Sequence, residues 1–180
     1  MNATFKKDLY RVLGREKETL RQRLRRSADL NHIRLFRNAS EAKNPIARKW
    51  WTFKLRRSQR KTLIEIPGNT KIGPGFYIGH SGPIIINPAA VLGKNVNISH
   101  GVTIGRENRG KRCGTPTIGN EVWIGANAVI VGNITIGDDV LIAPLSYVNF
   151  DVPSHSIVVG NPAKIIAREN ATEGYLSWTV

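Results

Sequence analysis

The chain has 180 residues, enough for one domain and an appendage, and its 41% hydrophobic content supports a packed core. Its longest uncharged stretches are broken by Asn, Thr and Gly, so the sequence predicts no transmembrane helix, and the charged N-terminus lacks the apolar run of a secretory signal. The single cysteine, Cys113, excludes an internal disulfide framework and favours a reducing, cytoplasmic location.

The net charge of +14 is confined to the first third of the chain. Residues 1–62 hold 19 Lys and Arg against 5 Asp and Glu, whereas residues 63–180 hold 8 of each kind. The sequence therefore predicts two parts, a basic region and a neutral one. Because residues 1–62 contain no recognised base-reading motif, we expect no nucleic-acid partner.

The basic region carries the start signals of α-helices. It has only one Gly and one Pro, and it is rich in Leu, Arg, Lys and Glu. Ser27-Ala28-Asp29 predicts a helix through "LNHIRLFRNASEA", and Asn44-Pro45 predicts another through "IARKWWTFKLRRSQR". We expect two to four short helices in residues 1–62.

Aromatic residues in the second of these helices have two interpretations. Trp50, Trp51 and Phe53, together with Leu55, are interleaved with Lys and Arg, a composition that suits the surface of an anionic membrane. Alternatively, these aromatics pack the helices onto the rest of the protein, the helices cap the following domain, and the charges are solvated. We favour packing and capping.

From residue 72 onward, aliphatic residues recur every six positions. Nine of the eleven intervals in the series are six, a period that fits neither an amphipathic helix nor an alternating strand. It fits a parallel β-helix, whose short strands turn a corner every six residues, so that twelve repeats make about four turns. The series is Ile72, Ile78, Ile86, Leu92, Ile98, Ile104, Ile118, Ile124, Ile130, Ile136, Ile142 and Val148.

The count is interrupted twice, and solenoids place insertions on the surface, often at a binding face. Two extra residues follow Ile78 and eight extra residues follow Ile104, the second insertion predicting a loop. His80 and His100 are 20 residues apart, which is one turn of three repeats plus the two extra residues. We therefore expect the two histidines to stack on neighbouring turns, about 4.8 Å apart along the axis, as a candidate site.

The other two histidines of the chain lack this context. His32 lies in the basic region and His155 lies beyond the last repeat, and neither is paired by the six-residue count. We expect both to be structural or solvated.

These features together resemble the serine acetyltransferase branch of the hexapeptide-repeat (left-handed β-helix) acyltransferases. The resemblance covers about residues 63–167 and rests on the H-x-G at residues 80–82, "GVTIG", the long loop, "IGANAVIVGNITIG" and the closing "DVPSHSIVVGNPAKII". It implies that the β-helix is left-handed, so we expect a mainly β fold, a left-handed parallel β-helix (residues 63–167) with a short N-terminal α-helical region (residues 1–62) and a C-terminal tail (residues 168–180). The short basic region departs from the larger helical domain of those enzymes. The resemblance also implies acetyl-CoA as co-substrate, no metal, and a homotrimer with sites between subunits.

The resemblance assigns roles to individual residues. The catalytic histidine of the family falls on His80, and the carboxylate that orients it, an Asp in the family, falls on Glu65. Such an acid holds one imidazole nitrogen so that the other is a free base. The amides and small residues that line the acetyl-CoA slot fall near Gly105, Ala126 and Ala143, and Lys164 lies where a cation meets the phosphate of the cofactor.

The acceptor site departs from the family pattern. Gly79 stands where the serine enzymes carry an Asp for the amino group, and Gly114-Thr115 stands where they carry an Arg-His pair for the carboxylate. Each charge-assisted contact is worth about 1.5–3 kcal/mol, so we expect serine to be a poor acceptor. We expect a sugar hydroxyl instead, in capsular, exopolysaccharide or lipopolysaccharide biosynthesis, with Gly79, His100 and Thr115 in the acceptor pocket.

Three alternatives remain open at this point. The first is serine O-acetylation with a rearranged acceptor pocket. The second is a non-catalytic β-helix scaffold, against which the presence of both His80 and Glu65 argues. In the third, Cys113 carries the acyl group, although no base can be paired with it from the sequence.

Overall fold

The N-terminal region is helical. The computed structural model describes residues 2–180, and each helix begins at a residue whose side chain accepts a hydrogen bond from the first turn (Asn2, Thr19, Ser27 and Asn44). The predicted starts at Ser27 and at Asn44-Pro45 are confirmed. The helices are α1 (Ala3–Leu13), α2 (Leu20–Leu24), α3 (Ala28–Glu41) and α4 (Pro45–Thr62).

The rest of the chain winds into a parallel β-helix with three sheets. The first sheet has the order β1-β4-β7-β10-β13, the second β11-β8-β5-β2, and the third β15-β14-β12-β9-β6-β3. The strands are β1 (Ile64–Glu65), β2 (Lys71–Ile72), β3 (Tyr77–Ile78), β4 (Ile84–Ile86), β5 (Val91–Leu92), β6 (Asn97–Ile98), β7 (Thr103–Gly105), β8 (Thr117–Ile118), β9 (Val122–Ile124), β10 (Val129–Val131), β11 (Thr135–Ile136), β12 (Val140–Ile142), β13 (Tyr147–Val148), β14 (Ser156–Gly160) and β15 (Ala163–Ala167).

The six-residue series forms the interior of this β-helix, as the sequence predicts. All twelve aliphatic residues except Ile72 are buried, and Ile72, in the first turn, is half-buried. Each such side chain gains about 1.5–3 kcal/mol by leaving water. Stacking is close enough to demand glycine at one corner: a Cβ on Gly93 would lie 2.5 Å from the carbonyl oxygen of Gly119 on the next turn.

A buried ion pair fastens the helices to the first turn of the β-helix. The Arg37 guanidinium in α3 donates to both carboxylate oxygens of Asp8 in α1, at 2.7 and 3.1 Å, and also to the carbonyl oxygens of Ile72 and Gly73. Asp8 accepts a further bond from the amide of Phe76. Because Asp8 is 0% and Arg37 2% exposed, these bonds determine how the helical region sits on the end of the coil.

The C-terminal segment, residues 168–180, runs back along the outer face of the third sheet. Tyr175 packs against Trp123 with ring centroids 4.8 Å apart, and the Val180 carbonyl accepts a bond from Asn95. At its start, Asp139 accepts hydrogen bonds from the segment and from His155, whose Nδ1 lies 2.9 Å away. These bonds outweigh the effect of burial and lower the pKa of Asp139, while the bond to Asp139, with help from Glu169, raises the pKa of His155.

The expectation that the aromatic residues of α4 pack the helices onto the β-helix is wrong for two of the three. Leu55 is buried and Trp51 half-buried, but Trp50 and Phe53 are 53% and 59% exposed, so they do not pack the helices onto the β-helix. The reason is that α3 contacts the opposite side of α4, where Leu55 lies. Among residues 2–180, no helix combines the length and apolar character needed to cross a membrane.

Candidate active site

The two-residue insertion forms a bulge, residues 79–83, at the corner between the third and first sheets. The strand before it, β3, keeps its register with β6, since Ile78 pairs with Ile98. The strand after it, β4, regains register with β7. The bulge is held from both sides, because the Gly101 amide donates to the Pro83 carbonyl and the Ile84 amide donates to the Leu63 carbonyl. The extra residues therefore project from the corner without disturbing the stack.

His80 and His100 are neighbours at this corner, as the count predicts. Their ring centroids lie 6.0 Å apart with the ring planes at 74°. Gly82 makes this approach possible, because a Cβ at position 82 would lie 2.9 Å from the Cβ of His100. His80 is exposed and His100 half-buried, and within residues 2–180 neither ring makes a hydrogen bond. Their nitrogens are thus available to an acceptor hydroxyl. We call this place the histidine corner.

Glu65 lies on β1 in the same turn as His80. It pairs with Ile85 in the first sheet, its side chain is exposed, and among the described residues it makes no hydrogen bond to His80. Catalytic hydrogen bonds are often long in unliganded enzymes and tighten when substrate binds. The orienting role of Glu65 therefore stays a prediction.

The helical region also reaches the histidine corner, which the sequence did not indicate. Asp29, in the first turn of α3, lies 2.7 and 2.9 Å through its two carboxylate oxygens from the hydroxyl of Ser81, the residue after His80. The two residues are 52 positions apart. No spacing rule connects them, so only the packing of α3 against the β-helix reveals the contact.

Two of the residues expected to line the cofactor slot share the histidine corner on later turns. Ile98 pairs with Ile124, so Ala126 occupies the same position in its turn as His100. Ile142 pairs with Ile124, which places Ala143 at this corner one turn further. Lys164, in β15, pairs with Val159 at the same edge and is exposed. These positions form a column that runs from His80 to Lys164.

Gly105 and Thr115 lie elsewhere. Gly105 ends β7, and residues 106–116 form the predicted loop, whose base is closed by two hydrogen bonds between Glu107 and Gly114. The loop leaves the corner after the first sheet, whereas His80 and His100 lie at the corner before it. Within one chain, the structure therefore does not bring Gly105 or Thr115 together with His80. Gly79, the third residue of the expected acceptor pocket, directly precedes His80 in the bulge.

The loop is cationic and contains the only cysteine of the chain. Among residues 106–116, four are Lys or Arg and one, Glu107, is acidic. Arg112 pairs with Glu107 at 3.3 Å, and the exposed Cys113 has the Arg106 guanidinium 3.8 Å from its sulfur. Among residues 2–180, the side chain that hydrogen-bonds to the Cys113 sulfur is the Arg106 guanidinium, which is not a base.

The remaining histidine is structural. His32 is buried beneath α4, where its Nδ1 lies 3.1 Å from the hydroxyl of Ser58. Burial lowers its pKa to about 4, so the ring is neutral near pH 7. In residues 2–180, no three His, Cys, Asp or Glu side chains are grouped as metal ligands are.

Comparison with known proteins places this architecture. A family model described as "Bacterial transferase hexapeptide (six repeats)" matches residues 115–149. Serine acetyltransferase of Helicobacter pylori (strain ATCC 700392 / 26695) is 41% identical over 108 residues, which are 60% of this chain and 63% of that protein. Serine acetyltransferase 2 of Arabidopsis thaliana is 45% identical over 105 residues, 57% of this chain and 32% of that protein. The chain thus spans less than two thirds of the length of these relatives.

Solved structures agree over a longer stretch. The crystal structure of Neisseria gonorrhoeae serine acetyltransferase (CysE) in complex with serine superposes on 91% of this chain and 68% of its own, with a TM-score of 0.72 and 31% identity. Serine acetyltransferase from Brucella abortus strain S19 in complex with coenzyme A covers 92% of this chain and 66% of its own, with a TM-score of 0.75 and 27% identity.

The fold and the histidine corner define a parallel β-helix built from six-residue repeats, with a candidate base on its edge. The chain belongs to the hexapeptide-repeat transferase family.

The sugar acceptor expected from the sequence is not supported. The relatives above are named serine acetyltransferases, and they outweigh the argument from Gly79 and Gly114-Thr115. That argument considered only residues close to His80 and to the loop in the sequence, whereas a charge absent at one position can be supplied by a group distant in the sequence. The contact between Asp29 and Ser81 shows that such a group reaches this corner.

Proposed function

We propose that this chain is an acetyl-CoA-dependent O-acetyltransferase with serine as its acceptor. The observation that carries the proposal is an exposed His80 beside His100, on a bulge of the β-helix, in a family whose compared members are named serine acetyltransferases. The structures compared include one in complex with serine and one in complex with coenzyme A. A non-catalytic scaffold would have no need for a bulge that places the unbonded imidazole of His80 beside that of His100.

His80 is the general base in this proposal. The serine hydroxyl gives its proton to the imidazole while its oxygen attacks the thioester carbonyl carbon, and backbone amides of the corner stabilise the oxyanion. The carbon–sulfur bond then breaks, and the departing thiolate takes the proton back from His80. We assign Glu65 as the residue that positions the imidazole and stabilises its charged form, and His100 as a contact to the acceptor.

The ammonium group of serine needs an anionic partner near His80. Gly79 provides none, and we assign this contact to Asp29. Its carboxylate touches Ser81, and among residues 2–180 it pairs with no cation. A carboxylate has about four lone-pair sites and Ser81 can donate only one proton, so acceptor capacity remains for the three donors of an ammonium group.

The column along the histidine corner is the proposed path of acetyl-CoA. Five strand spacings of about 4.8 Å separate β3, which His80 follows, from β15, which holds Lys164, or about 24 Å. Small residues such as Ala126 and Ala143 leave room for an extended ligand along this edge. Lys164, exposed at the far end, would meet a phosphate of the cofactor.

Gly105 and Thr115 fit this proposal only if they come from a second copy of the chain. The histidine corner and the loop lie at the two corners that border the first sheet. If the first sheets of two subunits face each other, the cationic loop of one subunit would approach the histidine corner of its neighbour. We therefore propose a homotrimer with sites between subunits. The free cations of the loop would then meet the carboxylate of serine.

Substitution of His80 tests the function. We expect His80→Ala to lower turnover of acetyl-CoA and L-serine by about 10²- to 10⁴-fold, with coenzyme A binding retained. His155→Ala is the matched control, since it removes an exposed imidazole from another corner. Release of coenzyme A is followed by thiol titration, and light scattering should give three times the mass of the 20.0-kDa chain. Turnover of His80→Ala equal to that of the wild type would exclude His80 as the base.

A further inference from the structure

We propose that α4 docks the enzyme on an anionic phospholipid surface, through a face that we call the α4 lipid face. This face consists of Ile46, Trp50 and Phe53 together with the cations beside them. It lies in the helical region and contains none of the residues assigned to the reaction. The inference is independent of the acceptor and of the reaction, because it concerns where the enzyme is held.

The apolar part of the face is exposed and has no partner in the described chain. Ile46 is 80%, Trp50 53% and Phe53 59% exposed. The three residues are spaced i, i+4 and i+7, so they share one side of the helix. The rings of Trp50 and Phe53 stack on each other at 6.3 Å, which presents a continuous aromatic surface to solvent. Large exposed aromatics of this kind mark interaction sites.

The charge of the helix identifies the kind of partner. Residues 45–62 include seven Lys and Arg and no Asp or Glu. An amphipathic helix with aromatic residues on one side and basic residues around them lies in the interface of an anionic membrane. A protein partner of mixed charge would not require a helix that lacks acidic residues altogether.

A cationic cleft adjoins the aromatic surface and fits a phosphate headgroup. It lies between α3 and α4 and has a volume of about 430 Å³. The residues that line it contribute four cations and no carboxylate. Lys54 joins the two parts of the face, because it lines the cleft and its ammonium also lies 4.7 Å from the ring centre of Trp50. The cations are Arg34, Lys54, Arg57 and Lys61.

One of these cations, Arg34, is partly buried without an anionic hydrogen-bond partner among the described residues. Arg34 donates hydrogen bonds to Asn31 and lies 6.0 Å from the ring of Trp51, but neither partner carries a negative charge. Burial and the neighbouring Arg26 lower the pKa of its guanidinium, and Glu18, which pairs with Arg26, offsets only part of this effect. A lipid phosphate in the cleft would offset this charge while Trp50 and Phe53 enter the headgroup boundary.

Vesicle flotation of the full chain tests the proposal. The vesicles contain phosphatidylglycerol and phosphatidylcholine in equal parts, or phosphatidylcholine alone, at low and at high salt. We expect binding to the anionic vesicles only, weakened by salt. Each Lys or Arg near an anionic surface is worth about a fivefold change in binding, so Arg57→Gln with Lys61→Gln should weaken it about 25-fold.

Control variants distinguish binding through the α4 lipid face from attraction by the net positive charge of the protein. Lys71→Gln with Lys94→Gln removes the same two charges from exposed positions of the β-helix and should leave vesicle binding unchanged. Trp50→Ala with Phe53→Ala should abolish binding while acetyl transfer to soluble acceptor persists, because both side chains are exposed. Equal binding by all variants, binding to neutral vesicles, or no binding at low salt would overturn the proposal. So would a lower oligomeric mass of the aromatic variant, since a second copy would then occupy the face.

Discussion

Asp29→Asn is the sharpest test of how the acceptor is recognised. An asparagine keeps a carbonyl oxygen for the Ser81 hydroxyl, now 2.7 Å from Asp29, so the bulge retains its tie to α3. It removes the negative charge, and with it the charge-assisted bond to the ammonium group of serine. Such a bond is worth about 1.5–3 kcal/mol. Because Asp29 is partly exposed, water screens the contact, and we place the loss near the lower limit, at about tenfold in kcat/KM.

A second acceptor shows whether the loss depends on the ammonium group, because wild type and variant can each be compared on two acceptors. 3-Hydroxypropanoate has the hydroxyl and carboxylate of serine without the ammonium group. We expect Asp29→Asn to reduce kcat/KM for L-serine about tenfold and to leave that for 3-hydroxypropanoate nearly unchanged, with the KM for acetyl-CoA unaffected. Asp151→Asn serves as control, since it neutralises an exposed aspartate far along the β-helix. An equal loss with both acceptors would show that Asp29 only holds the bulge. A wild-type enzyme inactive on serine would refute the proposed function itself.

Two further predictions concern the ends of the β-helix. Arg37→Met leaves the buried Asp8 carboxylate without its cation, so urea titration should show a loss of about 3–5 kcal/mol in the free energy of unfolding. Arg112→Gln breaks a surface ion pair and should cost less than about 1 kcal/mol. Because the pKa of His155 is raised, its contribution to the stability of the C-terminal segment is complete below pH 6.5 and is lost as pH rises through that raised pKa. Because the pKa of Asp139 is lowered, its contribution is complete above pH 3.8 and is lost as pH falls through that lowered pKa. The protection factors of the segment, which are corrected for the intrinsic pH dependence of exchange, should be largest between pH 3.8 and 6.5. Unchanged protection factors above the raised pKa of His155 would contradict this.

The β-helix could be predicted in detail because it repeats. Each turn contacts only the turns before and after it, so a fixed period in the sequence becomes a fixed translation in space. For that reason, counting alone placed His80 beside His100 and identified the insertion after Ile104 as a loop. Counting also placed the start of the loop one side further round than the histidines, since Ile104 follows Ile98 by six residues. It did not show that the first sheet keeps the loop of one chain away from His80.

The helical region resisted prediction for the opposite reason. Helix starts such as Ser27 and Asn44 are local, and they were found. Which side of α4 faces inward depends on α3, and that side carries Leu55 rather than Trp50 or Phe53. The sequence of α4 has large apolar residues on both sides, so composition alone could not decide between packing and exposure.

The predictions about the acceptor and about the aromatic residues of α4 were wrong for the same reason, namely how the helical region covers the first turn of the β-helix. A repeating coil cannot bury its own first turn, so a segment of different composition must cover it. Here the bonds from Arg37 to Asp8 and to the first turn fix the orientation of α3. That orientation points the first turn of α3, with Asp29, at the bulge that bears His80. Residues 1–62 therefore do more than cap the coil: they bring a carboxylate to a corner whose own sequence has none at position 79.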